Sequence, residues 1–257
     1  MKKLLLGFIA IVLLTFVGCD KDDDSSSSSS SEEKDTDSGD GTTGDSSIKY
    51  GEGLTDGDGN TYKTVIIGEQ EWMAENLRTT KYNDGTSIPN VTDGSQWDYL
   101  STGAWSHYNN DNQYDTIYGK LYNWYAVETG KLCPTGWHVP TDAEWTELND
   151  YLAANGYSGT EGIALKSTSG WGSGGNGTDD YGWNALPGRY RYYDGDFDGC
   201  CDYGLEIVIT GNWWSSSQYS TGNAWGRYLD DYSQSSCTLD RTNAKKKYGF
   251  SVRCLRD

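Results

Sequence analysis

Cys133-Pro-Thr-Gly-Trp-His-Val-Pro-Thr-Asp-Ala-Glu-Trp-Thr-Glu-Leu148 carries the clearest local physics in this chain of 257 residues. Thr141 stands where a helix N-cap belongs, its hydroxyl placed to accept from the first unpaired backbone N–H groups. Glu144, three residues on, can reach back to the Thr141 N–H, which completes a capping box. Pro140 holds the chain extended up to the cap, and Trp145, Leu148 and Leu152 then recur at spacings of three and four. The spacing predicts a helix over Thr141–Ala154 with one apolar stripe. Cys133 precedes the cap at a point where a covalent tie would anchor the helix entrance, and Cys254, near the C-terminus, is its expected partner.

Working outward, the same stretch joins others in a pattern. Leu132-Cys133-Pro134 through Glu144-Trp145, Tyr62-Lys63-Thr64-Val65, Trp72-Met73-Ala74-Glu75-Asn76-Leu77 and Gly249-Phe250-Ser251-Val252-Arg253-Cys254 occur in order over about Asp56 to Asp257. Together they resemble the Fibrobacter succinogenes major paralogous domain. That family is distantly similar to the C-type lectin-like fold and to the formylglycine-generating enzymes, where a Pro-[Ser/Thr]-x-x-Glu-Trp helix and a terminal Gly-Phe-x-x-Arg strand recur. The resemblance implies an α+β, C-type lectin-like domain: an antiparallel meander with one main helix and long irregular loops. It implies no activity, because fold does not fix function.

Composition bounds the rest. A formal charge of −18 argues against nucleic acid and against electrostatic docking on anionic lipid. Eleven Trp and 20 Tyr beside 4 Phe and 33 Gly indicate a turn-rich fold built on amphipathic rings. Residues 1–18 carry Lys2 and Lys3 and an apolar run too short to span a bilayer, which reads as a signal peptide. Phe16-Val17-Gly18-Cys19 resembles a lipobox, making Cys19 the lipidated N-terminus. Several acyl chains on that residue would suffice for stable anchoring. Residues 19–47, acidic and serine-rich, read as a disordered tether that spans about 30 Å as a flexible coil. The Lys21-Asp22-Asp23 run behind the cysteine resembles a surface-export signal of bacterial lipoproteins. The expected location is therefore the outer membrane, anchored through lipid only and facing outward. The expected domain is residues 48–257.

Within it, Tyr62–Ile67 and a strand through Trp72 are expected to pair as a hairpin. Asp56-Gly-Asp-Gly-Asn60 is read as turn chemistry, since it lacks the distal glutamate of a calcium loop. The irregular stretch from Arg78 to Tyr118 holds Trp97, Tyr99, Trp105, Tyr108 and Tyr114 and is expected to pack down. Gly156–Gly182 reads as a long surface loop. Further strands are expected at about Asn184–Tyr193, Asn212–Ser217, Asn223–Leu229, Ser235–Asp240 and Tyr248–Leu255.

Five cysteines remain after Cys19: Cys133 and Cys254 as the main bridge, and Cys200 or Cys201 with Cys237 as a second. A strained bridge between the adjacent Cys200 and Cys201 is the alternative. The close cysteine pair of the formylglycine-generating enzymes is missing, two histidines do not make a multi-His metal site, and no base-orienter set singles out Ser215–Ser217. The chain is therefore read as a non-enzyme with no resident cofactor. Asp194, Asp196 and Asp198 match the first half of a calcium loop, but position 12 is Leu205 and Glu206 comes one residue late. An acidic turn is favoured there, with weak calcium binding as the alternative.

Trp213, Trp214, Trp225 and Tyr228 are the candidate ligand-binding residues, because flat rings beside Asn and Asp suit sugar faces. Neighbours on a strand point to opposite faces, so only one of Trp213 and Trp214 is expected in the core. The function expected is a binding or adhesion module for a glycan or a cell-surface protein, with a structural subunit of a surface assembly as the alternative.

Overall fold

The computed structural model describes residues 47–172, 174–197, 209–231 and 237–257. The expected signal peptide, Cys19, almost all of the tether, Asp198, Cys200 and Cys201 lie outside the described residues. Strands β1 (Leu54–Thr55) and β2 (Thr61–Tyr62) form a hairpin, followed by β3 (Thr64–Ile67) and β4 (Gln70–Met73), paired antiparallel with Val65 opposite Trp72. Short elements come next: α1 (Gly94–Asp98), β5 (Trp105–Ser106), α2 (Asp115–Tyr118), β6 (Leu121–Tyr122), α3 (Trp124–Val127) and β7 (Trp137–His138). The main helix α4 (Asp142–Leu152) and the short α5 (Glu161–Leu165) precede the long strands β8 (Thr210–Gln218), β9 (Asn223–Asp230) and β10 (Asp240–Lys245), and β11 (Leu255–Arg256) ends the chain. The architecture is α+β, with paired strands that are mostly antiparallel.

Helix α4 forms as its sequence dictates. The Thr141 hydroxyl accepts from the Glu144 N–H, and the Glu144 carboxylate accepts from the Thr141 N–H at 2.7 Å. Trp145, Leu148 and Leu152 are buried. Cys133 and Cys254 are disulfide-bonded across 121 residues of sequence, a closure that stabilises by about 5 kcal/mol on the loop-entropy account. The Asp56 turn is also as expected. Its carboxylate accepts from the Asp58 and Asn60 N–H groups, the Asn60 amide and the Tyr62 hydroxyl, so the turn uses that carboxylate itself.

Three sheets meet around the C-terminal segment. Leu255 pairs with Trp72 of β4 and with His138 of β7, giving the order β3-β4-β11-β7. A few residues earlier, the Ser251 N–H donates to Asn212 and the Trp214 N–H donates to Ser251, which joins this segment to the meander β8-β9-β10. Phe250 pairs with Tyr122 of β6. The Gly-Phe-Ser-Val-Arg-Cys run is thus the seam of the fold.

Four expectations change. Asn184–Tyr193 is not a strand. It makes isolated bridges at Ala185, Arg189 and Arg191, because Asn184 and Arg189 take left-handed backbone (φ 51° and 55°) and Pro187 has no N–H to give a ladder. Tyr248–Leu255 is likewise mostly bridges, with β11 only at its end. The last long strand among the described residues is Asp240–Lys245, where Ser235–Asp240 was expected; of that expected span, Ser235 and Ser236 lie outside the described residues. The charged, polar sequence of Asp240–Lys245 suits the edge position that it occupies, where charge discourages further pairing. The Gly156–Gly182 stretch is not a surface loop throughout. Ala164, Leu165 and Trp171 are buried, the Trp171 indole donates to the Ala185 carbonyl, and the buried Lys166 ammonium lies 4.4 Å from the Trp171 ring.

The apolar interior has two parts, one on each side of β8. Trp213 packs with Trp72, Trp145, Trp183 and the helix stripe, whereas Trp214 packs with Phe250, Tyr122, Trp124 and the Cys133–Cys254 region. The Arg78–Tyr118 excursion is packed down in part: Trp97, Trp105 and Tyr108 are buried, whereas Tyr99, expected to pack with them, is 85% exposed.

Candidate functional site

The alternation of β8 aims Trp213 and Trp214 to opposite faces, yet both are fully buried. The expectation that one of them faces a ligand is corrected here. β8 is covered on both sides, a circumstance its own sequence does not reveal. The Trp213 indole donates to Asn76 Oδ1 at 2.8 Å and stacks edge-on against Trp183, while Arg253 bridges to the same Asn76 oxygen at 2.9 Å. The Trp214 indole donates to the Tyr122 carbonyl at 2.8 Å and its ring lies 4.3 Å from that of Phe250.

Trp225 and Tyr228, three residues apart on β9, also face opposite ways. Trp225 is half-buried on the face of Trp213, between the guanidinium of Arg241 at 3.5 Å and the Tyr219 ring at 4.6 Å. Arg241 and the buried Arg227 both donate to Asp142 at the start of α4. Burial alone would raise the Asp142 carboxyl, but the hydrogen bonds from these two guanidinium groups outweigh it and hold the group below the usual carboxylate range. The four expected residues are therefore not brought together.

Tyr228 lines a cavity. A cleft of about 390 Å³ opens on the Trp214 side of the β8-β9-β10 sheet. One wall is aromatic (Tyr190, Tyr248, Phe250), and polar groups from the strands (Asn212, Tyr228 and Thr242) complete it. Small residues make room: Ala224 and Ala244 sit opposite each other in the register, and Gly226 lies beneath Phe250. A Cβ at Gly226 would come 2.9 Å from the Trp213 carbonyl oxygen, so the position needs glycine. Beyond the cleft the rings continue, with Tyr248 to Tyr192 at 5.2 Å and Tyr248 to Tyr193 at 5.5 Å. Lys245, on the cleft lining, sets its ammonium 3.3 Å from the Tyr193 ring centroid.

Two phenols of this cleft, Tyr248 and Tyr228, are held neutral. Burial, then the neighbouring hydroxyls of Tyr192 and Tyr190, push Tyr248 well above the ordinary range, and burial followed by Asp240 and Asp230 raises Tyr228. Both therefore carry an O–H that can donate as well as accept. The arrangement offers ring faces, amides and hydroxyls to a neutral polyol. No carboxylate lines it among the described residues.

Asp194 and Asp196 belong to a tight turn in which the Asp196 N–H donates to Asp194 and Arg191 donates to the Gly195 carbonyl at 2.8 Å. Asp198 lies outside the described residues, among which no group of three or more His, Cys, Asp or Glu side chains is placed to hold a metal ion. His138, at the helix entrance, meets Asp257 at 2.7 Å and Glu144 at 3.0 Å. Cys237 is buried and free, and burial pushes its thiol up.

Sequence reasoning missed Tyr190, Asn212, Thr242 and Tyr248. The one available signal was the tyrosine-rich Tyr190-Arg-Tyr-Tyr193 run. The cleft itself is assembled from segments that only the register of β8, β9 and β10 brings into line.

A family model for the Fibrobacter succinogenes major domain matches residues 65–256. No curated protein and no solved structure matches the chain significantly.

Proposed function

The chain belongs to the Fibrobacter succinogenes major domain family, and on that premise we propose that it is a lectin-like binding module whose sheet cleft takes a neutral glycan. The observation that carries this reading is the cleft's composition: tyrosine and phenylalanine rings facing strand amides and hydroxyls across about 390 Å³, over small residues. Sugars present apolar ring faces and outward hydroxyls, and such a lining complements both. The same proposal places the domain outside the cell on a lipidated Cys19, with residues 20–47 as its tether, and assigns it no catalytic residue.

A glycan-array screen of the chain, run with calcium and with chelator, tests the reading. A reproducible neutral glycan whose binding falls at least tenfold with Tyr228→Ala supports it. Chelator sensitivity would add an ion at the Asp194–Asp198 turn. A blank array under both conditions sinks it and favours the structural subunit of a surface assembly.

A further inference from the structure

The aromatic wall of the sheet cleft continues past the cleft itself. Arg191 and Gly249 form an antiparallel bridge, each N–H donating to the other's carbonyl at 2.9 Å. That register sets Tyr190 across from Phe250 and Tyr192 across from Tyr248, and the two-residue period of extended chain brings all four rings to one face. The ring centroids lie accordingly: 6.1 Å from Tyr190 to Phe250, 5.2 Å from Tyr192 to Tyr248 and 5.4 Å from Tyr190 to Tyr192. Tyr193 adds a fifth ring, 5.5 Å from Tyr248. Tyr190, Tyr248 and Phe250 of the cleft wall are thus the first part of a longer strip, and Tyr192 and Tyr193 extend it beyond the cleft lining.

The strip is held from beneath. Arg191 points to the opposite face and is fully buried there, its guanidinium donating to the carbonyls of Val91, Thr92 and Gly195 and lying 4.3 Å from the Trp97 ring. Gly249 leaves room for that packing, since a Cβ on it would come 3.0 Å from Arg191 Cβ and 3.2 Å from the Trp97 ring. The backbone under the tyrosines is therefore fixed before a ligand arrives, which lowers the ordering cost of binding. Tyr190, Tyr192, Tyr193 and Tyr248 are only half-buried, so each keeps ring surface toward solvent.

Two features select the ligand. At about 390 Å³ the cleft is at the small end of pockets that enclose a small molecule, and a ligand that also uses the strip must be longer than the cleft. Neighbouring rings are inclined to each other, by 45° between Tyr190 and Tyr192, 44° between Tyr192 and Tyr248, and 58° between Tyr193 and Tyr248. A flat crystalline surface cannot lie on rings so inclined, whereas a single chain that turns about its linkages can meet each in succession.

Resting on the neutral-glycan reading of the cleft, we propose that the site takes a stretch of several residues of one linear neutral polysaccharide chain, rather than a terminal sugar. The chain runs from Asn212 and Tyr228 in the cleft along Tyr190, Tyr248 and Tyr192 to Tyr193. Amides and hydroxyls hold the residues in the cleft, and ring contact holds those on the strip.

The test is calorimetric titration of the full chain with malto-, cello- and manno-oligosaccharides of two, four and six residues. In the series that binds, affinity rises at least tenfold from the disaccharide to the hexasaccharide. Tyr193→Ala, at the far end of the strip, removes most of that rise, whereas Tyr228→Ala weakens every length, with melting temperature reporting that the fold is kept. If Tyr193→Ala unfolds, Tyr192→Ala replaces it with the same expected loss, and the length series itself needs no variant. A disaccharide that binds as tightly as the hexasaccharide, or a folded strip variant that keeps the length dependence of the wild type, overturns the proposal and leaves the cleft reading standing. A blank in all three series also overturns it, and the glycan array then decides whether the cleft reading falls with it.

Discussion

The two faces of β8 carry neighbouring tryptophans of equal burial and end in different surroundings. On the Trp213 face, indoles of Trp72, Trp145 and Trp183 close over the strand and Arg227 and Arg241 tie the sheet to Asp142 of α4. On the Trp214 face, Phe250 covers the indole, but Ala224, Gly226 and Ala244 leave space above the neighbouring strands, and the cleft forms there. The difference teaches that a large ring on a strand does not mark a binding face. The residues that mark it are the small ones, because they determine where the core stops short.

This comparison can be broken most forcefully at the seam. Cys254 packs on the Trp214 side and Leu255 on the Trp213 side, so breaking the bridge loosens both. Cys133→Ser with Cys254→Ser is expected to lose about 5 kcal/mol, the loop-entropy value. Next in size are the tryptophans. Trp213→Ala and Trp214→Ala are each expected to cost about 4 kcal/mol in denaturant unfolding, as full removal of a buried ring does. A variant at either position that melts like the wild type would show that its face is not core.

Asp142→Asn acts on the closed face alone. It leaves the buried Arg227 without its carboxylate and is expected to cost about 2 kcal/mol at neutral pH. Because the folded carboxyl titrates below its ordinary value of 3.8, this contribution is present in full above that value and is lost as pH falls through the depressed one. Urea midpoints of wild type and variant should therefore converge on acidification below pH 3.8. A gap that stays constant to low pH contradicts the ion pair. The smallest effect on stability sharpens the contrast. Tyr228→Ala, on the open face, should cost no more than about 1 kcal/mol while weakening glycan binding at least tenfold.

Much of the frame was legible from local chemistry. The capping box at Thr141 and Glu144, the β3-β4 hairpin and the turn at Asp56 each follow from residues within a few positions of one another. The Cys133–Cys254 tie was expected because it joins the helix entrance to the last stretch of the chain, and the structure has it. What was not legible depends on distant segments. Trp214 is buried by Phe250, 36 positions further along the chain. The strand at Asp240–Lys245 has no apolar alternation to announce it, and it exists because β9 offers it a register. Asn184 and Arg189 read as strand residues until their left-handed backbone is seen. The cleft tyrosines were hidden for the same reason, since Tyr190 and Tyr248 gain meaning only when the seam lays them side by side at 6.0 Å.

The most direct measurement is a nitrogen–proton correlation spectrum of the labelled chain, titrated with the tightest neutral glycan from the array. The account predicts that the side-chain amide signal of Asn212 shifts saturably, while that of Asn243, opposite Trp225 on the other face of the sheet, and the buried indole N–H signals of Trp213 and Trp214 keep their places. Saturable binding that leaves the Asn212 amide unmoved would contradict the sheet cleft as the glycan site.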